Sequence, residues 1–166
     1  MSTPAPTGPA DEPRWLDADE RAAWLSLAGV MTLLPSALDA QLQRDAGLSH
    51  FEYMVLAVLS EQPTRTMRMS DLAAFANGSL SRLSHVARRL EEQGFLARQA
   101  CPEDGRATNA VLTEAGWAKV VTTAPGHVET VRRLVFDALS PAQRAQLRTI
   151  GDRILGQVNP GGSCGT

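Results

Sequence analysis

Read by period, the chain is a run of amphipathic helices interrupted once by two alternating stretches. Asp17-x-x-Glu20 has the form of an N-cap with its reciprocal partner and predicts a first helix over 17–45. Leu25, Ala28, Met31, Leu38 and Leu42 return near the helical period, and Pro35 is expected to kink this rod or interrupt it locally. Ser49-x-x-Glu52 repeats the capping pattern ahead of FEYMVLAVLSEQ. Ser70 is expected to cap a short helix, SDLAAFA, and after Asn77-Gly78 a further helix starts at Ser79.

That helix, SLSRLSHVARRLEEQ, has two faces. Leu80, Leu83, Val86 and Leu90 follow helical spacing and are expected to face the core. Arg82, His85 and Arg89 share another face, with Ser81, Ser84 and Arg88 beside it. Gly94 has the place of a left-handed C′ residue. FLARQAC and ATNAVLT then read as two strands about a charged turn, in which Asp104-Gly105 is a hairpin signal. Thr113 precedes a long helical stretch with Trp117, Val120, Val121, Ala124, Val128, Val131 and Val135 on one stripe, bent at Pro125-Gly126. Ser140-Pro141-x-Gln143 restarts a helix whose stripe is Leu147, Ile150, Ile154 and Val158. The expected order is α-α-α-α-β-β-α-α.

Length and composition fit this picture. The chain has 166 residues, of which 43% are hydrophobic, 20% charged and 5% aromatic. It is long enough for one domain with a real core, and the balance favours helices. The Pro-rich opening 1–13 and the Gly-rich closing 159–166 read as flexible arms around a single domain over 14–158. No apolar run approaches the ~18 residues of a membrane helix. Residues 1–13 lack the basic and apolar regions of a signal peptide, so a cytoplasmic protein with no membrane partner is expected. Cys101 and Cys164 are distant and lack a Cys-x-x-Cys spacing, which points away from a disulfide scaffold or a zinc site. The formal charge of −2 gives no global footprint for nucleic acid, so any such role rests on local clustering.

The clustering lies in residues 67–113. A short helix buttresses a second one whose polar face carries arginines and small hydroxyls, and a hairpin beside it carries Arg106 at its tip. Such a helix fits the major groove, where Arg pairs with guanine edges and Ser or His with bases or phosphates. MSDLAAFANGSLSRLSHVARRLEEQGFLARQ followed by PEDGRATNAVLTEAG resembles the MarR family of bacterial transcriptional regulators, over about residues 16 to 158.

The resemblance implies a mainly α fold with a small two-stranded β-wing. In it a winged helix-turn-helix lobe over 49–113 sits between dimerisation helices at 17–46 and 114–158. It implies that Ser79, Ser81, Arg82, His85 and Arg89 belong to the recognition helix, with Ser84 and Arg88 beside them. It also implies that Asp104 positions the wing and that Arg106 enters the minor groove. The sequence departs from the commoner pattern where Gly105 replaces a second basic residue at the wing tip, and where Leu80 replaces a polar or basic one. Double-stranded DNA and a second copy of the chain are the expected partners. A repressor role on a pseudo-palindromic operator follows.

Other chemistry finds less support in the residues. Glu103 and Asp104 are sequence neighbours in a turn with no nucleophile or histidine near them, so no enzyme and no catalytic residue is expected. The turn also lacks the alternating oxygen ligands of a calcium loop. His50, His85 and His127 are far apart in sequence and no metal or other cofactor is expected. Trp15, Trp24, His50 and Tyr53 are the aromatic groups near the first two helices. They line either a dimer core or a pocket for a small aromatic or phenolic ligand of the kind many relatives accept. A winged-helix module that docks a partner protein, and a redox- or metal-responsive switch, are the alternatives, with Cys101 the candidate thiol for oxidant sensing.

Overall fold

The computed structural model describes residues 13–75, 79–102 and 104–159. Asn77-Gly78, Glu103, Cys164 and nearly all of both terminal arms lie outside them. The elements follow the expected order with two additions. Helices α1 (Ala18–Ala46) and α2 (His50–Glu61) lead into a short strand β1 (Thr66–Arg68). Then come α3 (Met69–Phe75), α4 (Leu80–Glu92), β2 (Leu96–Cys101) and β3 (Asp104–Leu112). Helix α5 (Glu114–Val131) continues into a π turn over Arg132–Phe136, and α6 (Pro141–Val158) closes the chain.

The caps read from sequence form as hydrogen bonds. Asp17 and Glu20 exchange backbone N–H to carboxylate bonds of 3.0 and 2.8 Å. Ser49 with Glu52 and Ser140 with Gln143 form the same reciprocal pair, each serine hydroxyl and the Glu52 carboxylate or Gln143 amide oxygen accepting a backbone N–H. Thr113 accepts from the Gly116 N–H at 3.0 Å to open α5. Gly94 has φ +76°, the left-handed conformation that only glycine adopts without strain. Ser70 is a correction: α3 already starts at Met69, so Ser70 lies inside it and bonds Asp71 at 3.2 Å. Pro35 does not interrupt α1, which is helical on both sides of it.

The chain forms two compact units that divide within α1, Met1–Leu34 and Pro35–Thr166. In the first, α1 exposes Trp24, Leu25, Val30, Met31 and Leu33. By length and composition alone α1 is apolar enough to cross a membrane, with an 18-residue mean hydropathy of 1.3. That corrects the expectation that no such run exists.

The second unit holds the core. Leu42, Leu48, Val55, Leu56, Leu59, Leu72, Leu83, Leu90, Leu96 and Ala110 are all buried, and α2 runs through the middle of them. The wing is a three-stranded antiparallel sheet of order β1-β3-β2, not the two-stranded hairpin expected. Strand β1 pairs Thr66, Met67 and Arg68 with Val111, Ala110 and Asn109. Three residues are too few for a period-2 signal, so the sequence could not announce it. Arg65 leads into it at φ +52°, held by an ion pair to Glu114 at 2.8 Å and by stacking on Trp117 at 4.3 Å.

Two hydrophobic stripes are corrected. Leu80 is 53% exposed in the first turn of α4, whose buried residues are Leu83, Ala87 and Leu90. On a wheel of about 100° per residue, Leu80 lies on the flank of that buried arc, and this flank faces a groove beside the wing. In α5 the buried side is Gly116, Val120, Thr123 and Thr130, while Val121 and Val128 of the expected stripe are exposed. Thr130 tolerates burial because its hydroxyl bonds the Gly126 carbonyl at 3.0 Å. Helix α6 buries no residue, and Leu147, Ile150, Ile154 and Val158 stay exposed.

Candidate nucleic-acid interface

Helix α4 owes its start to Ser79, whose hydroxyl accepts the Arg82 N–H at 3.1 Å. That oxygen satisfies a donor the helix terminus would otherwise leave orphaned. Leu83, Ala87 and Leu90 seat one side of the helix on the core. Directly opposite that side, at about 100° per residue, stand Ser81, His85 and Arg88, all exposed. His85 Nδ1 and Arg88 Nη2 are 3.1 Å apart, so the two side chains hold one another in place at the outer pole.

The two flanks differ. Toward the wing, Leu80 and Ser84 meet Met69, Arg98, Arg106 and Thr108 around a groove of about 300 Å³. The wing is braced to this side by Glu91 near the end of α4, which accepts both the backbone N–H and Nε of Arg98 at 2.7 Å. Burial pushes the Glu91 carboxyl up, but the Arg98 bonds outweigh it and leave the group below its ordinary range. At the tip, Asp104 Oδ1 accepts the Arg106 N–H at 3.1 Å. Arg106 is exposed, and among the described residues it forms no ion pair.

The other flank faces α2. Arg82 lays its guanidinium over the Phe51 ring at 4.4 Å from the centroid. Arg89 places Nε 3.2 Å from Oε1 of Glu52, a carboxylate only 1% exposed. The donor is not aligned on that oxygen, which accepts no hydrogen bond, so the contact is charge neutralisation alone. The sequence placed Arg82, His85 and Arg89 on one face. The structure sends His85 outward and the two arginines toward α2.

The expected ligand residues separate. Trp15 and Trp24 belong to the N-terminal unit and are 83% and 51% exposed. His50 and Tyr53 are in the other unit, where His127 joins them with ring centroids 6.1 and 4.6 Å away. Gln41 holds His127 through a contact of 3.2 Å to Nδ1. Burial lowers the basicity of His50, opposed by Asp39, and lowers that of His127, reinforced by the charge of His50. Burial and the charge of Glu61 raise the Tyr53 phenol. A cleft of about 740 Å³ opens beside this cluster, lined by Asp39, His50, Phe51, Met54, Phe75 and Arg82.

Sequence reading missed His127, because three histidines spaced far apart carry no periodic signal. Among the described residues no group of three or more His, Cys, Asp or Glu is placed to hold a metal ion. Cys101 is a buried free thiol at the register shift of the β2–β3 ladder.

Comparison with known proteins fits this geometry. The sequence model of the MarR family matches residues 48–108, from the start of α2 to the middle of β3. Over nearly its whole length, the chain is 45% identical to Sco3205, a MarR family transcriptional regulator from Streptomyces coelicolor solved in complex with DNA. The likeness covers 92% of this chain and 95% of that one, with a TM-score of 0.87. This chain belongs to the MarR family. A second MarR family regulator of S. coelicolor, AbsC, is 38% identical over 89% of this chain and 99% of its own, with a TM-score of 0.84. Among curated proteins, the transcriptional repressor MprA of Escherichia coli K12 is 25% identical over 113 residues. The match spans 68% of this chain and 64% of MprA, so the chain covers under two thirds of that relative. MarR family members are transcriptional regulators and not enzymes, in keeping with a sequence that offers no nucleophile–base pair.

Proposed function

We propose that this MarR family chain is a homodimeric, sequence-specific regulator of transcription that binds double-stranded DNA and acts as a ligand-responsive repressor. The observation that carries the reading is the outer pole of α4. Ser81, His85 and Arg88 project there without any cover, flanked by a braced wing that ends in Arg106. Arg and Ser side chains on such a helix suit base edges and phosphates in the major groove, and an exposed wing arginine suits the minor groove. Sco3205, 45% identical, was solved bound to DNA.

Dimer formation is supported by the apolar surface left open on α1 and α6, which a second copy would cover and which explains the hydropathy of α1 without a membrane. A two-fold dimer presents two α4 helices to successive major grooves, so the operator is a pseudo-palindrome with half-sites one turn apart. The ligand reading rests on the cleft with His50, Phe51 and Phe75, which suits a small aromatic or phenolic molecule. Such a ligand represses or releases only through unequal affinity for the DNA-bound and free conformations. The place of action is the cytoplasm, with the chromosome.

Selection of bound duplexes from a random pool tests the reading. Enrichment of an inverted repeat with half-site centres about 10 base pairs apart is expected. Recovery of an unenriched pool would refute sequence-specific binding.

A further inference from the structure

We propose that Arg82 and Arg89 are positioning residues, a two-point clamp that fixes the pose of α4 on the first turn of α2, and that they do not carry the DNA contacts. The proposal rests on the DNA-binding reading above and assigns different work to different arginines of the same helix.

The geometry is specific. Arg82 and Arg89 are seven residues apart, which places them within about 20° of each other on the helix, two turns apart along it. Their partners, Phe51 and Glu52, are consecutive residues in the first turn of α2. One arginine stacks on the ring at 4.4 Å, and the other neutralises the carboxylate at 3.2 Å. A clamp with two separate points resists both rolling and sliding of α4, which one contact would not.

Glu52 gives the clamp its strength. One oxygen, Oε2, accepts the Ser49 N–H at 2.7 Å and closes the capping box. The other, Oε1, is buried and accepts no hydrogen bond, so the guanidinium of Arg89 is what neutralises it. A buried carboxylate without a counter-charge is costly, so Arg89 is drawn toward α2 and away from the DNA side. Arg82 is drawn the same way by the ring, where a guanidinium stacks favourably. Ser81, Ser84, His85 and Arg88 remain to face DNA, and of these only Arg88 is a permanent cation.

The test uses the partner residues on α2, the half-buried Phe51 and the buried Glu52. Glu52→Gln keeps the volume and the acceptor of the capping box but removes the buried charge, and Phe51→Leu removes the ring but stays apolar. Each is expected to weaken binding to the selected duplex roughly tenfold, within the coupling range of contacting residues, with the salt dependence unchanged. Combining Glu52→Gln with Arg89→Ala should weaken binding no more than Arg89→Ala alone, and Arg89→Lys should restore part of the affinity. Arg88→Ala, by contrast, should lower the slope of log affinity against log salt by about 0.9 for each phosphate that Arg88 neutralises.

Amide hydrogen exchange within α4, measured on the same variants without DNA, should quicken for Glu52→Gln and Phe51→Leu. The clamp is overturned if Arg82→Ala or Arg89→Ala lowers the salt slope as Arg88→Ala does. It is also overturned if the two partner variants leave affinity and α4 exchange as in the wild type. A wild type that binds no duplex would sink the DNA reading instead, and the exchange result would then decide the clamp alone.

Discussion

Replacing Arg106 by alanine isolates what the wing contributes. The backbone N–H of Arg106 bonds Asp104, which alanine keeps, and the side chain is exposed. Truncation should therefore change stability by less than about 0.5 kcal/mol. Any loss of affinity then reports the DNA contact directly. Each protomer supplies one such cation, and a dimer supplies two. If both meet phosphates or the minor groove, the slope of log affinity against log salt should fall by about 1.8. Between ~50 and ~200 mM salt that slope change alone is worth roughly a twelvefold difference between wild type and variant. At modest salt the affinity loss should be about 1–3 kcal/mol. Fluorescence anisotropy with the selected duplex at four salt concentrations measures both quantities, with sedimentation checking that the dimer persists. An Arg106→Ala protein with wild-type affinity and slope would show that the wing does not touch DNA, and the reasoning from its exposed tip would fail.

Other expectations follow from single contacts. Gly116→Ala would place a Cβ against the Phe95 carbonyl oxygen and 2.7 Å from Leu112 Cδ1, at the junction of α5 with the wing. It should destabilise by about 1–3 kcal/mol despite alanine's better helix propensity, and a raised midpoint in urea would contradict the packing described. His50 and His127 are both less basic in the fold than their ordinary 6.5, so the unfolded chain takes up protons first as pH falls. Their contribution to stability is complete above about pH 6.5 and declines below it, and His127→Gln should flatten that decline in pH-dependent melting. The apolar faces of α1 and α6 predict a dimer at micromolar concentration in sedimentation equilibrium. A clean monomer would contradict the covering proposed for them.

Much of this protein was legible because its local rules agree. Capping boxes at Asp17, Ser49 and Ser140 and the Gly94 terminus depend on neighbours a few residues away, and all form; the wing strands carried their own alternation across a short turn. What escaped depends on distance in sequence. Strand β1 gains its identity only by pairing with β3 more than forty residues later. His127 becomes part of a cluster only because α5 returns to α2. Glu52 was read correctly as a cap, but its second oxygen awaits Arg89, and no periodicity announces that. Leu80 and Val121 misled because apolar recurrence at helical spacing does not by itself fix which arc is buried, and the arcs that pack are Leu83, Ala87 and Leu90 in α4 and Gly116, Val120, Thr123 and Thr130 in α5.

The central claim is sequence-specific recognition of duplex DNA, and a competition titration tests it most directly. The selected duplex and a scrambled duplex of equal length would be titrated at physiological salt. Sequence-specific recognition predicts a preference on the order of a thousandfold or more for the selected duplex, with both affinities falling as salt rises. Equal affinity for the two duplexes, or binding that salt leaves untouched, would contradict it.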